Sequence, residues 1–161
     1  MPKPTPEELV DEEQRVTPIG LFNYAESYRT AARALRRSKT RASHKDSPIR
    51  FLYYHTIELY LKAHLRLHGI HPYELRTKYG HSAEALRKRS ADFGLVFEEE
   101  DLEVIGLMSE TDVVIRSRYI STGYFRWPDI AALDRTCNSL RLSVWNDFKA
   151  NKVFVRLNKA R

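Results

Sequence analysis

Cysteine is almost missing. Cys137 is the single one in 161 residues, so neither an internal disulfide nor a zinc ribbon can form, and a reducing compartment is expected. No apolar run approaches the ~18 residues that span a bilayer, and the opening MPKPTPEELVDEEQ lacks the apolar centre of a signal peptide. These features predict a cytosolic protein without membrane contact. A glycine-rich phosphate loop, an HExxH metalloprotease pattern and a serine-nucleophile elbow are absent as well, which removes support from the commonest enzyme classes. There is no internal repeat and no low-complexity tract. What remains is an ordinary globular balance, 42% hydrophobic and 30% charged, over a length that fits one domain.

The net charge of +6 is segregated along the chain. Basic residues dominate 16–50 and 135–161, whereas 1–15 and 98–134 are acidic. Arg29, Arg33, Arg36, Arg37, Lys39, Arg41, Lys45 and Arg50 crowd one stretch and would make a phosphate-facing stripe if they shared a face. A solvated helix end and loop would carry the same residues, so composition alone leaves both readings open.

Residues 1–16, rich in proline and acid, read as a flexible arm. Thr17 and Pro18 then supply an N-cap and a helix-starting proline, and Leu21, Tyr24, Ala25, Tyr28, Ala32 and Leu35 recur at helical spacing to about Arg41. The polar stretch SKTRASHKDSP is a loop, and a second helix is expected from Pro48 to Gly69, with Tyr54, Ile57, Leu61 and Leu65 as the core stripe. Ile70 to Gly80 reads as another loop, after which His81 or Ser82 caps a short helix ending near Gly94. The acidic run Glu98 to Asp101 suits the positive end of a fourth helix reaching about Tyr119. Pro128 or Asp129 opens the last helix, through Leu133, Cys137, Leu140, Val144 and Phe148. The basic end, 151–161, reads as a tail or a short strand. Five helices over 17–150 with no convincing strand predict an all-α, antiparallel up-and-down helical bundle.

Three stretches resemble the HEPN superfamily, the nucleotide-binding domain of higher eukaryotes and prokaryotes. Tyr54-His55-Thr56-Ile57-Glu58-Leu59-Tyr60-Leu61-Lys62-Ala63-His64-Leu65 is similar to the second-helix pattern, Gly80-His81-Ser82 through Leu86 to the His-initiated third helix, and Arg116-Ser117-Arg118-Tyr119 to the Arg-Tyr that ends a later helix. The resemblance implies a helical bundle, often a homodimer. It also implies a superfamily that holds metal-independent endoribonucleases, toxins of toxin–antitoxin pairs and inactive binding modules. In its nucleolytic members a late helix carries an Arg followed after about four to six residues by a His. The His moves the 2′-hydroxyl proton and the Arg holds the phosphate charge. Here no His falls in that window after Arg116 or Arg118.

Other pairs satisfy the spacing, and Arg50 with His55 and Arg76 with His81 fall in or beside the resembling stretches. His55, Glu58 and Lys62 lie at i, i+3 and i+7, one helix face, with Arg66 just beyond. They would form either a polar cleft in which the carboxylate orients a histidine and the cations receive phosphate, or a solvated Glu58–Lys62 pair contributing ~0.3–0.5 kcal/mol. His64, His68 and His71 have ligand-like spacing, but Gly69 ends the helix between the last two, so no metal and no cofactor are expected. Arg116, Arg118, Tyr119 and Arg126, interleaved with Tyr124, Phe125 and Trp127, match the cation and ring chemistry of nucleic-acid sites, or pair with acids of the fourth helix over a plugged loop.

The resulting expectation is an HEPN-like module that binds RNA or a nucleotide through Glu58, Lys62, Arg66, Arg116, Arg118, Tyr119 and Arg126. The alternatives are a metal-independent, toxin-like endoribonuclease, with His55 or His81 as base and Arg50, Arg76 or Arg118 on the phosphate, and a non-catalytic module that dimerises or holds a cognate protein.

Overall fold

The computed structural model describes residues 3–110 and 126–157. All regular structure among them is helical: α1 Pro6–Arg15, α2 Pro18–Arg37, α3 Asp46–Leu67, the single turn α4 Pro72–Glu74, a π-helical turn Leu75–Tyr79, α5 Ala83–Asp92, α6 Glu99–Glu110 and α7 Ile130–Ala150. The all-α bundle anticipated from the periodicity is therefore present. None of these helices is long and apolar enough to cross a membrane.

Local chemistry sets the helix starts. Thr17 accepts a hydrogen bond from the Gly20 amide, Ser82 from Ala85, and Asp129 from Ala131 and Ala132, each satisfying donors that a first turn leaves unpaired. Ser82, not His81, is thus the cap of α5, which releases His81 for another partner. α3 begins at Asp46, two residues before the proline expected to open it, because proline is tolerated inside a first turn.

α3 is the centre. Tyr53, Tyr54, Ile57, Tyr60, Leu61 and Leu65 are fully buried on nearly every side of it, so this helix has no solvated face along most of its length. α2 runs antiparallel to it, pairing Phe22 with Tyr60 and Tyr28 with His55. α7 also runs antiparallel to α2, from Arg33–Asp134 to Phe22–Phe148, and so lies parallel to α3. Full burial of each large apolar side chain contributes about 1.5–3 kcal/mol, and the Phe22, Tyr60 and Phe148 rings lock the three long helices at one level.

Two segments depart from expectation. Residues read as a flexible arm form α1, started by a reciprocal capping box in which the Glu8 amide donates to Thr5 and the Thr5 amide donates to the Glu8 carboxylate. α1 buries no side chain; it is fastened by Arg66, which donates to the Val16 and Glu13 carbonyls, by His71 donating to the Leu9 carbonyl, and by an Arg76–Glu12 ion pair. The loop expected over 70–80 is the α4 and π-turn connection, closed by the Gly80 amide on the Leu75 carbonyl with Gly80 at positive φ. This connection carries the chain back so that α5 starts beside Glu58 and ends with Phe93 on His68, alongside α3.

The described part of the basic end, 151–157, contains no strand; Val153, Val155 and Leu157 pack on the core, and the Trp145 indole donates to the Val155 carbonyl. The expected continuation of the fourth helix to about Tyr119 falls on residues outside those described.

Candidate functional site

The conspicuous polar group on α3 is Glu58, 1% exposed. A buried carboxylate must be paired, and it is: Lys62 donates to Oε1 at 2.6 Å, and His81 Nδ1 lies 3.1 Å from both oxygens. The predicted Glu58–Lys62 pair is therefore made, but inside the bundle edge instead of on a solvated surface, with Lys62 itself only 15% exposed. The His81 side chain is 54% exposed. With Nδ1 held by the carboxylate, Nε2 is the nitrogen left to meet solvent, the orientation a general base requires. Glu58, Lys62 and His81 are brought together from α3 and the start of α5.

The other predicted residues are dispersed. His55 is half-buried between Tyr28, edge-on at 4.4 Å, and Phe51, stacked at 6.1 Å. Arg50 sits over the Trp127 ring at 5.9 Å, so the Arg50 and His55 pair serves an aromatic edge of α2 and α3 whose outermost ring is the exposed Tyr24. Arg76, proposed with His81, is engaged by Glu12 and by the Tyr73 face. Arg66 is buried and spent on α1. Arg126 is exposed, and Arg116, Arg118 and Tyr119 lie outside the described residues.

A basic site that the sequence only hinted at lies between α2 and α7. Arg29, Arg33, Asp134, Arg135, Asn138, Ser139 and Arg141 line a cavity of about 340 Å³. Arg29 and Arg33 are one turn apart on α2 and face α7, where Arg33 takes Asp134 at 2.8 Å, Arg141 takes Glu26 at 2.8 Å and Arg135 takes Glu100. Burial works to raise the Asp134 carboxyl, but hydrogen bonding and charge from Arg33 outweigh it and hold the group below its usual range. Arg29 is 5% exposed; it donates to Asn138 through Nη2, and its buried Nε has no hydrogen-bond partner among the described residues. The clustered arginines of the sequence pointed here, but their face could not be assigned without knowing that α7 lies against α2.

Two remaining groups complete the inventory. Cys137 is buried, burial pushes its thiol well up, and it donates to the Tyr53 carbonyl, so it is no nucleophile. His71, considered as a third metal ligand, instead caps α4 by accepting from the Tyr73 amide. His64 and His68 turn away from it toward Asp147 on α7.

No family model, curated protein or solved structure matches the chain. The class that fold and geometry define is an all-α helical bundle with an arginine-lined cavity and a carboxylate-held surface histidine.

Proposed function

We propose that this bundle is an HEPN-like module that binds RNA or a nucleotide, with phosphate taken up between α2 and α7. The observation that carries the reading is the cavity itself, into whose wall α2 and α7 bring four guanidinium side chains, Arg29, Arg33, Arg135 and Arg141. Guanidinium groups take phosphate oxygens in charge-assisted, often bidentate hydrogen bonds. The exposed Tyr24, backed by the partly buried Tyr28, offers a ring on which a base can stack.

A second reading, a metal-independent endoribonuclease, draws on the Glu58–His81 pair, whose orientation suits proton removal from a 2′-hydroxyl.

One experiment separates them. Labelled RNA is titrated with the protein in EDTA across a salt series, and strand integrity is followed in the same samples. The binding reading expects affinity that falls steeply with salt, weakens at least about tenfold in Arg29→Met, and shows a slope about one unit smaller in Arg135→Ala. Cleavage lost in His81→Ala while binding persists would establish the nuclease reading. Salt-insensitive or absent association of RNA and of nucleotides would sink both.

A further inference from the structure

We propose that His64, His68 and Asp147 form a binding site for one divalent late-transition-metal ion of the zinc type, joining the C-terminal ends of α3 and α7. His64 lies in the last turn of α3 and His68, four residues on, is its C-cap, and the parallel course of α7 brings Asp147 to the same level. The His68 Nε2 lies 2.7 Å from Asp147 Oδ2 and the His64 Nε2 lies 3.3 Å from the same oxygen. One ligand atom from each of the three falls within 4.8 Å of the others. Bonds of ~2.0–2.1 Å in a tetrahedral site place ligand atoms about 3.3 Å apart, so the His64–Asp147 separation already fits and the His68–Asp147 hydrogen bond opens by roughly half an ångström.

The surroundings favour a ligand over a merely structural trio. His64 is fully buried, yet neither ring nitrogen has a hydrogen-bond partner among the described residues. A buried ring without partners, with Nε2 3.3 Å from a carboxylate oxygen, is placed for a shared ion. The other Asp147 oxygen accepts from the Asn151 amide at 3.2 Å, and Phe93 stacks on His68 at 4.9 Å, so two of the three ligands are oriented from behind. His68 and Asp147 are 22% and 25% exposed, which leaves an entry path and room for a water as fourth ligand. Two imidazoles and one carboxylate suit zinc and its neighbours, and not magnesium or calcium, which require all-oxygen shells.

The test uses the full chain, stripped with chelator and titrated with Zn²⁺ against a chromophoric competitor, with Co²⁺ absorption as a report of four-coordination. The expected result is saturable uptake of one ion per chain with a raised melting temperature. Affinity should drop at least about tenfold in Asp147→Asn and in His68→Gln and stay unchanged in His81→Ala. Circular dichroism of the metal-free variants checks their fold, and His64→Leu, which fills the buried site with an apolar side chain, supplies a third ligand deletion. Absence of saturable uptake by the wild type, or uptake undiminished in folded Asp147→Asn and His68→Gln, would overturn the proposal.

Discussion

Two carboxylate–imidazole groups sit at opposite ends of the α3–α5 edge, and their burial is reversed. At one end the carboxylate is inside: Glu58 is 1% exposed while His81 reaches solvent. At the other the imidazole is inside: His64 is fully buried while Asp147 is partly open. The same two functional groups thus acquire different chemistry. A buried carboxylate beside an open ring supports a histidine that can exchange protons with a bound molecule, whereas a buried ring beside an open carboxylate is kept neutral, which suits coordination. Solvent access, more than residue identity, assigns the roles.

The largest effect that would break this contrast is in acid. Folded His64 stays neutral down to about pH 4, whereas in the unfolded chain the ring takes its proton near 6.5. The unfolded state therefore binds more protons in this window, and stability is lost as pH falls from 6.5 to about 4, with no further loss from this group below it. The full loss is on the order of 3 kcal/mol. His64→Leu should remove it, which urea denaturation of wild type and variant in chelator at pH 7 and pH 4.5 would show as a difference that shrinks or changes sign. A difference that does not vary with pH would mean that His64 is protonated in the fold.

At the other end, Glu58→Ala leaves the largely enclosed Lys62 without its partner and should cost about 2 kcal/mol at neutral pH. Glu58→Gln, which keeps the volume, should cost less, and urea midpoints of the two variants give the charge contribution by difference.

The smallest effect is expected for His81→Ala. An exposed ring adds little to stability, so its unfolding midpoint should move by no more than about 0.5 kcal/mol equivalent. A large shift would make His81 a structural partner of Glu58 and reduce the contrast to two packing devices.

Much of the bundle could be read from spacing and caps. Thr17-Pro18, Ser82 and Asp129 mark helix starts because the capping hydroxyl or carboxylate works within its own turn. α1 was missed although Thr5 and Glu8 form a capping-box pattern, because its acid-rich composition points to disorder and its attachment comes from Arg66, His71 and Arg76, more than fifty residues away. For the candidate sites, the shared face of Glu58 and Lys62 was legible, but the arrival of His81 depends on the π-turn return of the chain. The metal-like spacing of His64 and His68 was also visible. The sequence offers His71 as the local third member, whereas the fold brings up Asp147, 79 residues after His68. Local patterns fix faces; which faces meet is decided by helix directions that no short window contains.

α1 shows what such long-range fastening entails. Because no α1 side chain is buried, its detachment would forfeit chiefly the hydrogen bonds and ion pairs that fasten it. The free energy of that opening is set largely by polar contacts, so the α1 amide hydrogens are expected to exchange more readily than those of the buried α3, which native-state hydrogen exchange would show. Such an opening would free the Arg66 guanidinium, which the folded chain holds on the Val16 and Glu13 carbonyls.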